Sequence, residues 1–194
     1  MNYGAIAIFG YLLGSVPFAV LVARAHGVDL YRTSDTNPGA WNALEQLGPR
    51  RAWPAFAGDG LKGTVAGLAG LGLAGTWGAY AGVAAAMLGH ALPLFARFRG
   101  GKAVMTFAGG AFALAPLAAA AALALCLVAA ATKRDFGLGA RLGVFSFPLW
   151  QLAVAPAEQV AATGALMTLI GALFVMRRDT SGRASSDSAA APIR

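Results

Sequence analysis

Charge is what this chain has least of. Its 194 residues hold eight Asp and Glu against 15 Lys and Arg, 12% charged in all, while 58% are hydrophobic. So little polar surface excludes a water-soluble domain of this size. Cysteine is nearly absent too. The single Cys126 rules out a disulfide framework or a thiolate zinc site within one chain. It lies in an Ala/Leu-rich run, and apolar surroundings disfavour the thiolate that a nucleophile needs. No cation precedes the first apolar run, Tyr3 to Arg24. That run therefore lacks the charged start of a signal peptide and reads as a retained span. The formal net charge of +7 does not point to nucleic acid. The cations gather beside apolar runs, where helix orientation and anionic lipid headgroups account for them.

What is present is a series of apolar runs of about 20 residues, the length that crosses a hydrocarbon core of roughly 30 Å. The charges punctuate them in four clusters: Arg24 to Arg51, Arg97 to Lys102, Lys133 to Arg141, and Arg177 to Arg194. If all four share the cytoplasmic side, an even number of crossings separates each from the next. Spans at about Trp53–Leu73 and Trp77–Phe95, turning at AGTWG, satisfy this, as do Leu142–Ala155 and Gln159–Met176, turning at Pro156. The stretch from Ala103 to Thr132 would make a single helix of about 45 Å, too long for one crossing. Pro116 divides it into two. The expectation is an all-α integral membrane protein of about seven transmembrane helices, N-terminus outside and C-terminus cytoplasmic. Its membrane domain is 1–178. The polar, low-complexity segment 179–194 is expected to be a disordered cytoplasmic tail. Glycine and alanine, as in GTVAGLAGLGLAG, suit close helix–helix packing.

Polar groups interrupt this pattern in three places. GDGLKG, residues 58–63, puts Asp59 and Lys62 three apart on one helix face at membrane depth. They form either a structural ion pair with Lys62 snorkelling outward or a substrate contact. The segment RTSDTNPGAWNAL gathers Asn37, Gly39 and Asn42 in a turn-prone stretch. Its amides suit a phosphate, and equally an ordinary Asn-Pro-Gly turn. GHALPLFARFRGGKAV places Arg97, Arg99 and Lys102 around Gly100 and Gly101. Cations there mark a cytoplasmic end, and glycine backbone beside a lysine also suits an anion. His90 in the same stretch is a proton shuttle or a hydrogen-bonded structural residue.

In this order the motifs resemble the bacterial acyl-phosphate-dependent glycerol-3-phosphate acyltransferases, the PlsY type. YLLGSVPFAVLVAR is similar to the family's first span, GVDLYRTSDTNPGAWNAL to its first cytoplasmic motif, GDGLKG to its Asp-x-x-Lys-Gly. GHALPLFARFRGGKAV follows its His-x-x-Pro-x-Phe…Gly-Gly-Lys motif almost throughout. The likeness covers residues 1 to about 178. It implies a seven-span enzyme of phospholipid biosynthesis in the bacterial inner membrane, with its active face cytoplasmic. Such enzymes move an acyl group from acyl-phosphate to glycerol 3-phosphate, giving lysophosphatidic acid and phosphate, without metal or cofactor. Phosphate-binding positions carried over are Asn37, Gly39, Asn42, Lys62, His90, Gly100, Gly101 and Lys102. Acyl-phosphate, glycerol 3-phosphate or another polyol acceptor, and membrane lipids are the implied partners.

The departures fall at reactive positions. Asp35 stands at the family serine, flanked by Ser34 and Thr36 in place of glycines. Glu45 replaces an arginine, Gly137 a serine, Arg177 a histidine and Thr180 an asparagine. A carboxylate at position 35 repels anionic substrates, yet a positioned carboxylate also takes a hydroxyl proton, a contribution of about 10²–10⁴-fold in rate. Two readings follow: a divergent acyltransferase with Asp35 as catalytic base, or a non-catalytic paralogue that binds a lipid, an acyl-phosphate or a partner protein.

Overall fold

The computed structural model describes residues 2–33 and 36–189, with side chains as far as residue 176. The described residues are helical throughout their regular structure. In chain order the helices are α1 (Tyr3–Gly14), α2 (Phe18–Ala25), α3 (Ala40–Leu47), α4 (Pro49–Ala91), α5 (Val104–Leu114), α6 (Pro116–Lys133), α7 (Phe136–Gln151) and α8 (Ala157–Ala189). Four stretches are long and apolar enough to cross a membrane: Tyr3–Ala25, Pro49–Ala96, Pro116–Lys133 and Ala157–Met176.

The breaks have local causes. The first apolar run is not one helix: α1 stops at Ser15 and α2 begins at Phe18, because Pro17 cannot donate to the ladder and restricts Val16 before it. Pro116 ends α5 and opens α6, so 103–132 is divided where the sequence places the break. Within α4 the backbone leaves helical geometry at Ala74 and Gly75, and Gly75 has φ +64° and ψ −157°, a combination open to glycine alone. The chain reverses there. The two legs of α4 run antiparallel with backbones almost touching: Gly70 lies on Gly78, and Gly82 on Ala66. A Cβ at any of these glycines would collide with the facing backbone, which is why the sequence is glycine-rich here.

The same small-residue contacts order the rest. α1 runs parallel to the second leg, Gly10 against Gly82 and Gly14 against Ala86. α5 runs parallel to the first leg, Gly63 against Thr106 and Gly67 against Ala113. α6 and α7 are antiparallel, with Gly139 against Ala130 and Gly143 against Ala122. Phe107 and Phe147 meet edge to face in the core at 5.8 Å.

Two side-chain groups fix the ends. At one, Tyr80 of α4, Gln151 at the end of α7 and Thr163 near the start of α8 form a buried hydrogen-bonded network. At the other, Trp41 of α3 stacks on Phe136 at the start of α7 with centroids 6.0 Å apart, and Lys102 lies over Phe174 late in α8. The segments bearing the basic clusters therefore gather at one end. The backbone of α8 stays helical through residue 189, so the helix continues into the segment expected to be an unstructured tail. No proline interrupts 179–189. Residues 190–194 lie outside the described residues.

Candidate functional site at the basic end

Asp59 and Lys62 lie one turn apart on the first leg of α4, both buried, at 1% and 2% exposure. Lys62 Nζ is 2.8 Å from Asp59 Oδ1. It also donates to the carbonyl oxygen of Val16 at 3.1 Å, at the break that Pro17 makes between α1 and α2. A charge at such depth is costly unless paired and hydrogen-bonded, and Lys62 has both. His90, at the end of the second leg, brings Nδ1 to 3.4 Å from the same Asp59 oxygen. The reversal at Gly75 is what lets residues 59 and 90 meet.

These three side chains line a small polar pocket. Val16 and Pro17 line it from the α1–α2 break, Pro38 from the loop before α3, and Arg99, Gly100 and Gly101 from the loop before α5. Gly100 packs on the carbonyls of His90 and Ala91, and Gly101 on the His90 ring. The Gly101 N–H donates to the His90 carbonyl at 3.1 Å. The glycine pair thus seats the loop directly against His90, and the Gly101 N–H is used within the protein.

Arg99 is the cation that lines the pocket beside Lys62. Its guanidinium sits 4.6 Å over the Tyr31 ring, whose hydroxyl donates to the Arg99 carbonyl at 2.9 Å. In the sequence Arg99 was one of several cations with a topological explanation, and nothing in its spacing singled it out. Lys102 does not line this pocket. Its Nζ lies 4.6 Å over the Phe174 ring, on a flexible stem at the foot of α5.

The loop residues have a largely internal role. Asn42 is fully buried, and its Nδ2 reaches Thr33 Oγ1 at 2.7 Å, the Asn37 carbonyl at 2.9 Å and the Leu30 carbonyl at 3.3 Å. It ties residues 30–37 to α3. Gly39 is the N-cap of α3, beside the Asn37 side chain. Asp35 and Ser34 lie outside the described residues, as do the side chains of Arg177 and Thr180. Glu45 accepts from Trp41 Nε1 at 2.8 Å. A Cβ on Gly137 would press on that same Trp41 ring, so the two altered positions adjoin one tryptophan. Among the described residues no three of His, Cys, Asp and Glu gather as a metal site.

Fold and pocket together define a class, a helical integral membrane protein with a polar pocket at its basic end. The chain belongs to the glycerol-3-phosphate acyltransferase family, whose model matches residues 4–183. The glycerol-3-phosphate acyltransferase of Geobacter sulfurreducens is 36% identical over 177 residues, covering 91% of this chain and 89% of that one. That of Rubrobacter xylanophilus is 39% identical over 136 residues, 70% of this chain and 68% of the relative. Among solved structures, the glycerol 3-phosphate form of PlsY (YgiH), an integral membrane glycerol 3-phosphate acyltransferase, superposes with TM-score 0.78 at 31% identity. The alignment covers 96% of this chain and 94% of that one. The lysophosphatidic acid form gives 0.75 at 30% identity, covering 96% and 93%.

Proposed function

We propose that this protein is a membrane acyltransferase of phospholipid biosynthesis, acylating glycerol 3-phosphate to lysophosphatidic acid. The observation that carries the reading is the buried Asp59–Lys62–His90 cluster with Arg99 in one pocket, in a chain that shares fold and family with glycerol 3-phosphate acyltransferases. With acyl-phosphate as donor, the acceptor hydroxyl oxygen attacks the acyl carbonyl carbon. The carbon–oxygen bond to phosphate breaks, and the proton passes through Asp35 to the departing phosphate. Lys62, Arg99 and Lys102 supply positive charge. Asn37, Gly39, Asn42, His90, Gly100 and Gly101 shape the loops that carry it. Acceptors other than glycerol 3-phosphate that bear a hydroxyl belong to the same proposal.

The chain is read as crossing the membrane seven times, N-terminus outside, through α1 with α2, the two legs of α4, α5, α6, α7 and α8. The pocket then faces the cytoplasm in a bacterial inner membrane, in contact with its lipids, and the segment from residue 179 extends the last helix on that side. The alternation of helix directions and the gathering of basic clusters at one end support this.

The test is phosphate release and lysophosphatidic acid formation by the detergent-purified protein with acyl-phosphate and glycerol 3-phosphate. Asp35→Asn is expected to lower turnover about 10²-fold or more, because an amide cannot take the proton. Full activity in that variant removes Asp35 from the mechanism. No turnover with any polyol acceptor returns the protein to the class of lipid- or acyl-phosphate-binding modules.

A further inference from the structure

Asp59 carries an unused oxygen. Its carboxylate is buried, lines the pocket and lies beside Lys62 and His90 through Oδ1, while Oδ2 has no hydrogen-bond partner among the described residues. A buried acceptor left in that state is costly, and more so when charged. A hydrogen-bond donor entering the pocket satisfies it. A cationic donor is disfavoured, because Lys62 already offsets Asp59 and Arg99 adds a further positive charge. The complementary ligand is anionic as a whole and brings a neutral hydroxyl to the carboxylate.

We infer that Asp59 Oδ2 accepts the hydroxyl of the acceptor that is not acylated, the C2 hydroxyl of glycerol 3-phosphate, while the phosphate turns toward Arg99. The assignment rests on the acyltransferase reading above and adds a specificity residue to it. Lys62 and His90 already engage the Asp59 carboxylate through Oδ1, so Asp59 holds a hydroxyl and leaves proton abstraction to another group. Holding the C2 hydroxyl presents the terminal one to the donor, as positioning requires. A site built around a substrate hydroxyl rejects the analogue that lacks it, because the protein's polar group is then buried unpaired.

The experiment is calorimetric titration of the full-length protein in detergent with glycerol 3-phosphate and with 3-hydroxypropyl phosphate, which lacks only the C2 hydroxyl. The wild type is expected to bind glycerol 3-phosphate roughly tenfold or more tightly than the deoxy analogue, the range of a hydrogen bond to a charged group. Asp59→Asn and the double variant Asp59→Asn/Lys62→Met should bind the two ligands within about twofold of each other. The double variant leaves no uncompensated buried lysine, so it carries the test if the single one does not fold. Equal binding by the wild type, no binding of either ligand, or a preference that survives in both variants overturns the inference. Acyl transfer in the same preparation separates the two claims. Transfer to both acceptors with equal affinity leaves the enzyme and removes the subsite. A C2 preference in binding without transfer leaves the subsite and removes the enzyme.

Discussion

Two buried polar clusters sit at opposite ends of the same bundle, and they differ in bookkeeping. At the far end Tyr80, Gln151 and Thr163 satisfy one another: Gln151 Nε2 donates to Tyr80 Oη at 2.8 Å, Thr163 Oγ1 to Gln151 Oε1 at 2.7 Å, and Tyr80 Oη to the Gln159 carbonyl at 2.8 Å. At the basic end Asp59 keeps an oxygen without a hydrogen bond, beside a pocket. A closed network rigidifies the helices it joins. An open one has capacity left for a ligand. Burial alone would have graded the clusters alike; counting donors and acceptors tells a clamp from a site.

The comparison breaks most decisively at Asp59. Asp59→Asn alone strands Lys62 without its counter-ion and is expected to destabilise the protein by about 3–5 kcal/mol, seen as a large fall in melting temperature in detergent. Adding Lys62→Met should recover most of that loss; no recovery would mean the pair is not what holds this end. Next comes crowding between the α4 legs. Gly70→Val forces the backbone at Gly78 to move and should cost about 1–3 kcal/mol, with acceptor affinity affected only through folding. At the clamp, Tyr80→Phe leaves Gln151 short of a partner at a cost of about 1–3 kcal/mol, and titration should find acceptor binding unchanged. Altered binding there would dissolve the distinction between the two ends. The smallest effect belongs to Tyr31→Leu, which removes the ring beneath Arg99 and the hydroxyl bonded to its carbonyl, and loses about 1–2 kcal/mol, read mainly as a rise in phosphate Kd.

Much of this was legible in the residues themselves. Pro116 and the AGTWG turn act through local backbone chemistry, so the break before α6 and the reversal in α4 could be placed from the sequence. The Asp59–Lys62 pair follows from helical spacing. What could not be read depends on distant contacts. Nothing local distinguishes Arg99 from Arg97, or shows that Asn42 spends its amide inside the loop. Tyr80, Gln151 and Thr163 are single polar residues in separate apolar runs, with no spacing to connect them. The continuous apolar run from Tyr3 to Arg24 concealed the α1–α2 break, because hydropathy outweighed the proline in it.

The reversal at Gly75 also bears on how the site comes into being. Asp59 and Lys62 enter on the first leg of the hairpin and His90 on the second, so one continuous stretch of chain carries the whole cluster. Pairings this local close faster than those between remote segments, because little loop entropy has to be surrendered first. The hairpin is then the natural early unit of folding, reaching its mature backbone-to-backbone fit without waiting for α6, α7 or α8. The walls around that charge cluster come from the α1–α2 break and the loops before α3 and α5, so they too precede the later helices in the chain.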